Sequence, residues 1–205
     1  MTLSASLENN PDIDSWLQFH SDGKITVSTG KVELGQKLIT AFTLIVAEEL
    51  DVVPARISVI TADTSKSPNE GYTAGSNSME SSGMALRHVA AKVRQVLLEK
   101  ASQQLGEPVE NLNVDDGEIS SSSTNQSVTY MELIGGKNFN IKVSEQVMPK
   151  RHDQYHLIGN KVPGIGYEDL VTGATTFVQD LELPGMLHAR VVRPPGYHAR
   201  LQELN

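Results

Sequence analysis

The chain contains no cysteine. That excludes disulfides, thiolate zinc sites, iron–sulfur ligation by this chain and any cysteine nucleophile. Basic charge is not in excess: the formal net charge is −8, so a bulk attraction to nucleic acid or an anionic membrane surface is not expected. No apolar run approaches the length of a membrane span. The opening "MTLSASLENNPDIDSW" lacks the basic and apolar regions of a signal peptide. A cytoplasmic location follows as the expectation, with the periplasm left open for a full complex. Aromatic residues are scarce, at 5%, yet 39% of the 205 residues are hydrophobic and 20% charged. This is a globular composition with enough apolar material for a core.

The patterning predicts an α+β fold, a small mixed β-sheet packed against two main helices. Alternation around Asp22-Gly23 reads as a hairpin leaving along Ile25 and Val27. Ile39, Phe42, Val46 and Leu50 step by three and four, the stripe of a buried helix. Glu48 and Glu49 near its C-terminal end oppose the helix dipole and call for a compensating neighbour. "RISVI" (56–60) is the next strand. A second helix spans 77–105, with Leu86, Val89, Val93 and Val96 as its stripe, Ser76 and Ser78 as candidate N-caps and Gly106 as its stop. Asp116-Gly117 turns a further hairpin around Val114, whose strand is expected in the same sheet, and Thr129 and Gly135 bracket a short helix. The domain reading is 1–147 as a first domain, 148–171 as an extended linker and 172–205 as the beginning of a second, incomplete β domain with strands flanking "LPGM".

"TGKVELGQKLIT" (29–40) resembles a phosphate loop with the wrong chemistry. Gly30 and Gly35 have the spacing of G-x-x-x-x-G-K-[ST], but Gln36 replaces the lysine and Lys37 the hydroxyl, so nothing reaches a terminal phosphate or ligates magnesium. What survives is a helix starting after Gly35, with its first amides outward as anion donors, and a side-chain amide at its mouth that is uncharged and both donor and acceptor. His152 and His156 have the spacing of a zinc-binding helix, but Asp153 stands where the glutamate should be and the segment follows Pro149. The loop "TADTSKSPNEGYTAGSNSMESSG" (61–83) is too long to be mere punctuation and is read as functional.

Several stretches carry a family likeness. "DGKITVSTGKVELGQKLITAFTLIVAEELDV", the D-T-x-x-x-P-N loop, "HLIGNKVP" and "VTGATTFVQDLELPGMLHARVVRPP" fall in the order found in one family. The chain resembles the molybdopterin-binding large subunit of the xanthine dehydrogenase and aldehyde oxidase family, in its isoquinoline 1-oxidoreductase-like and nicotinate dehydrogenase-like branches. The resemblance implies that residues 172–205 open an α/β hammerhead-like segment. It implies that Gln36 donates a hydrogen bond to a metal-bound oxygen, as the residue acting nearest the chemistry. A glycine usually follows; here it is Lys37, which either points away or marks an altered site. It implies cofactor binding by Gly35, Gln36, Thr73, Gly75, Ser76 and Ser78, the last four offering hydroxyls and amides to a pyrophosphate. Their bland alternative is capping and turning. Glu33 is read as turn-stabilising, not as the catalytic glutamate, which lies far C-terminal in relatives.

The implied cofactors are molybdenum and molybdopterin, expected in the cytosine dinucleotide form. The implied partners are the remaining C-terminal part of the large subunit, an iron–sulfur small subunit carrying the clusters this chain cannot hold, and a small-molecule substrate, an N-heterocycle or aldehyde hydroxylated with oxygen from water. No direct metal ligand is expected from this chain. It is read as an N-terminal portion, inactive alone; the alternative is a non-catalytic module that holds a cofactor or contacts a subunit.

Overall fold

Alternating residues pair where the pattern predicts. In the structure, a computed structural model that describes residues 3–144 and 147–203, β1 (Leu17–Phe19) and β2 (Ile25–Thr29) form the first hairpin, with Leu17 opposite Val27 and Phe19 opposite Ile25. β2 also pairs in parallel with β3 (Ile57–Thr61), from Ile25 opposite Ile57 to Thr29 opposite Thr61. A parallel pair needs a crossover, and α2 (Leu38–Leu50) supplies it. The shorter α1 (Ala5–Asn9) precedes this unit.

The long second helix, α3 (Met84–Leu105), packs against α2. Its stripe is buried as predicted, with Leu86, Val89, Val93 and Leu97 at 0% exposure. On α2, Phe42, Val46 and Leu50 are buried, while Ile39 is only half-buried and Leu38 takes the inward place. Trp16, Ile13 and Leu7 complete the core from the N-terminal side.

Three expectations need correction. The strand at Val114 does not join the first sheet. β4 (Leu112–Asp115), β5 (Glu118–Ser121) and β6 (Ser127–Thr129) form a separate antiparallel three-stranded sheet. Its first turn is tied back by Arg56, whose guanidinium meets both Asp116 oxygens at 2.7 and 2.8 Å; that pairing holds the Asp116 carboxyl below its usual range. Next, residues 79–83 form one π-helical turn, Met79–Gly83, before α3 begins. Ser and Gly are weak α-helix formers, and α2 lies close: a Cβ on Gly83 would stand 3.4 Å from Ile45 Cδ1. Neither serine caps. Ser76 has φ +56 and Ser78 is already helical, with no side-chain cap bond. By contrast, α4 (Tyr130–Ile134) has the capping box its sequence suggests, Thr129 and Glu132 each accepting the other's amide, and Gly135 ends it.

The third correction concerns the last residues. The chain divides into compact units Met1–Ile165 and Gly166–Asn205. In the second, α5 (Tyr167–Thr172) and a 3-10 turn, Val178–Asp180, are formed. Among the described residues the strands expected around Leu183–Met186 are not. The turn itself closes, Met186 N–H donating to Leu183 O at 3.0 Å, but a strand exists only through the partner that takes its amides and carbonyls.

Candidate functional site

The glycine-bracketed turn is built by a carboxylate. Glu33 Oε1 accepts the amides of Gly35 (2.9 Å) and Lys37 (3.0 Å), and its Oε2 accepts that of Ile39 (3.0 Å). The negative end of a side chain thus fills the mouth of α2, where the dipole favours it. Of these three amides only that of Ile39 lies within α2, so the carboxylate takes one of the outward donors expected at the helix start and two from the turn before it. Within the turn, Gln36 Oε1 accepts from Leu34 N at 2.5 Å and Gln36 Nε2 donates to Val32 O at 2.9 Å. These two bonds fix which face of the amide is nitrogen and which is oxygen. A primary amide nitrogen carries two hydrogens, so one donor remains beyond the bond to Val32.

The two glycines serve different needs. Gly35 has φ +96, a left-handed conformation costly for a residue with Cβ. At Gly30 the reason is contact: a Cβ there would lie 2.3 Å from Pro68 O. Lys37 also sits at φ +62, which accounts physically for the glycine that the family resemblance places there. Its ammonium reaches away from the turn to Ile165 O at 3.4 Å, and Ile165 N donates to Thr40 Oγ1 at 2.9 Å.

The long loop lies against the end of β2 through a braid that sequence reading missed. Glu70 Oε2 accepts from Thr29 Oγ1 (2.6 Å) and Gly30 N (2.7 Å). Reciprocally, the buried Lys31 ammonium donates to Glu70 O (2.7 Å) and Tyr72 O (2.9 Å). Thr73 Oγ1 then accepts from Val32 N at 2.8 Å. The partners stand 39 to 41 positions apart, so no local pattern could announce them.

This stitching brings the two loops together. One cleft of about 390 Å³ is lined by Gln36, Lys37, Thr73, Ser76 and Ser78 against Leu34, Leu38, Ala41, Ala74 and Met79. Gly35 and Gly75, at φ +96 and +69, adjoin it in sequence. The lining holds no carboxylate; it offers hydroxyls and a primary amide on one side and aliphatic carbon on the other, with the Lys37 ammonium turned to Ile165 O. That donor set fits a flat heteroaromatic group carrying phosphate. A second cleft, about 610 Å³, lies where β2 and β3 end and is walled by Gly30, Ala62, Asp63, Pro68, Glu70 and Tyr72.

The far end of α2 is held by another carboxylate cluster. Glu48 accepts the amides of His156 (2.9 Å), Leu157 (2.7 Å) and Ile158 (2.8 Å). Lys150 donates to Glu48 O at 2.6 Å and to the Asp51 carboxylate. Glu49 takes Arg87 Nε and Lys150 N, both at 3.0 Å, and Arg94 pairs with Asp51 at 2.8 Å. These are the neighbours that the acidic helix end requires. Burial pushes the Glu48 carboxyl up, but the three amides and Lys150 hold it below the usual range. At Glu49 burial wins over Lys150 N and Arg87, and the carboxyl is raised. His152 is exposed in a 3-10 turn and His156 follows in a bend, so helical spacing does not put them on one face. Among the described residues no helix is long and apolar enough to cross a membrane.

A parallel β–α–β unit, a second small sheet and two stitched loops around a cleft make this a domain of mixed α+β class. Residues 2–172 match the molybdopterin cofactor-binding domain family, and the chain belongs to it. One of the two subunits compared, from the nicotinate dehydrogenase of Pseudomonas putida, is 36% identical over 174 residues, 85% of this chain and 15% of that protein. The other, the beta chain of isoquinoline 1-oxidoreductase from Brevundimonas diminuta, is 26% identical, covering 88% of this chain and 28% of its own length. The chain therefore spans a minor part of these relatives. Among solved structures, the CO dehydrogenase of Oligotropha carboxidovorans superposes with a TM-score of 0.52 at 24% identity, over 58% of this chain and 15% of that one, a likeness of fold.

Proposed function

We propose that this chain is the cofactor-holding part of a larger molybdenum hydroxylase, acting on an N-heterocycle or an aldehyde. One observation carries the reading: loops 34–38 and 73–79 meet in a single acid-free cleft within a chain of the molybdopterin cofactor-binding domain family. In this reading Thr73, Ser76, Ser78 and the backbone at Gly75 hold the phosphate portion. Gln36 and Gly35 face the ring system, with Gln36 offering its second amide hydrogen. Bound there, molybdopterin with molybdenum supplies the two-electron chemistry by which an oxygen from water is added to an electron-poor carbon.

The protein's own part is to fix donors before the reaction. The bonds from Gln36 to Val32 and Leu34 mean that no reorientation is needed when charge develops nearby. The same proposal includes the cytosine dinucleotide form, an iron–sulfur partner and the C-terminal remainder of the large subunit, and it includes inactivity of residues 1–205 alone. The domain limits proposed for the assembled protein are 1–147, 148–171 and 172–205, the last opening a hammerhead-like segment whose strands would form on pairing.

The test is the full-length complex, purified and analysed for molybdenum and for the nucleotide released on acid hydrolysis. Stoichiometric metal and cytidine monophosphate are expected; their absence from a folded complex refutes the reading. Gln36→Ala should retain the metal and lose about a hundredfold in rate, the contribution of one preorganised donor. An unchanged rate reduces Gln36 to a turn residue.

A further inference from the structure

We propose that Glu33 is the positioning residue of this site: its carboxylate occupies the mouth of α2 as a built-in anion, fixing the Gln36 amide and directing phosphate to the other wall. The inference rests on the proposed cofactor site. A helix of the length of α2, Leu38–Leu50, would ordinarily present unsatisfied amides and partial positive charge to a ligand. Here the amide of Ile39 in the first turn, and those of Lys37 and Gly35 just before it, donate to Glu33, so a carboxylate stands where the partial charge is positive.

Two consequences follow. First, a phosphate nearing the start of α2 meets the charge of a carboxylate that stands just behind the acid-free lining, whereas an uncharged group is admitted beside Gln36. The anionic portion of a ligand is left to the wall of Thr73, Ser76 and Ser78. Second, the three bonds hold the turn at Gly35 and Lys37, both at positive φ. That conformation places Gln36 where Val32 O and Leu34 N clamp its amide. Without the carboxylate, the turn loses the contacts that offset its left-handed residues. Glu33 acts through Gln36 and has no contact with the reacting atoms.

The experiment compares the native full-length complex with Glu33→Ala and Glu33→Gln. Hydrogen exchange is followed by mass spectrometry in the peptide covering 34–39, with and without inorganic phosphate. Glu33→Ala should exchange about tenfold faster there, as expected for loss of a helix cap, while α3 exchanges as before. Phosphate should slow exchange again in the variant and leave the native protein unaffected. The turnover number should fall with molybdenum content retained. Native-like exchange in Glu33→Ala, phosphate protection equal in native and variant, or faster exchange with an unaltered turnover number each overturns the proposal. If Glu33→Ala does not fold, Glu33→Gln keeps an acceptor oxygen without the charge, and phosphate sensitivity must appear there or the proposal fails. An unchanged rate in Gln36→Ala would remove the cofactor reading while leaving the exchange result standing. A Gln36→Ala defect beside an unresponsive Glu33 would remove this inference alone.

Discussion

The two ends of α2 are both held by carboxylates, by opposite logic. At the N-terminus, Glu33 sits where the dipole wants negative charge, and one side chain on the adjoining turn suffices. At the C-terminus, Glu48, Glu49 and Asp51 stand against the dipole. They persist because Lys150, Arg87, Arg94 and the amides of 156–158 are brought to them. The first arrangement is local and half-exposed and shapes a turn. The second is buried and nonlocal, and it fastens residues 150–158 to the helix.

The contrast can be broken most forcefully at the buried end. Glu48→Ala strands three amides and removes the 3.9 Å ion pair to Lys150, which keeps Asp51 and the backbone oxygen of residue 48; it should cost about 3 kcal/mol, the scale for breaking a buried charged network. Denaturant midpoints measure it, and a cost under a third of that would mean the cluster is decorative. The same carboxylate sets a pH dependence. Its folded pKa is depressed, so its stabilisation is fully present above the ordinary value of 4.5 and is lost as pH falls through the folded value. Glu49 is raised and has the opposite sign, being relieved by acid. In Glu48→Gln the acid-side loss should shrink, read as a flatter stability profile below pH 4.5.

At the open end the effects should be smaller. Glu33→Ala should cost about 1 kcal/mol as a helix-cap loss, well below Glu48→Ala; equal costs would erase the distinction drawn between the ends. Lys37→Gly should stabilise by about 1 kcal/mol by relieving the left-handed conformation, unless the tie to Ile165 matters more than the strain. Gln36→Ala should change stability by no more than about half a kcal/mol, because its bonds are solvent-exposed. A larger loss by thermal unfolding would make Gln36 a structural residue.

Legibility in the sequence followed the range of each interaction. Both main helices and the turns at Asp22-Gly23 and Asp116-Gly117 were readable because their signals repeat within a few residues. The glycine-bracketed turn was readable as a turn, and Glu33 as its stabiliser, though not that its carboxylate reaches the first turn of α2 at Ile39. The separation into two sheets was not legible, since Val114 shows the same alternation whichever partner it finds. That residues 156–158 are tied to Glu48 was not legible, because those bonds come from backbone amides, which leave no trace in side-chain pattern. For Ser76 and Ser78 local rules offered caps that the backbone does not make.

Lys31 gives the loop a chemical clock. Its amine is sunk below the surface, 4% exposed, and donates to the carbonyls of Glu70 and Tyr72. An acylating reagent can reach that nitrogen only after the braid at the end of β2 has opened and the amine has shed its proton. Its labelling rate, set against that of exposed Lys66, therefore counts openings of the cleft wall one molecule at a time, without any substrate being known.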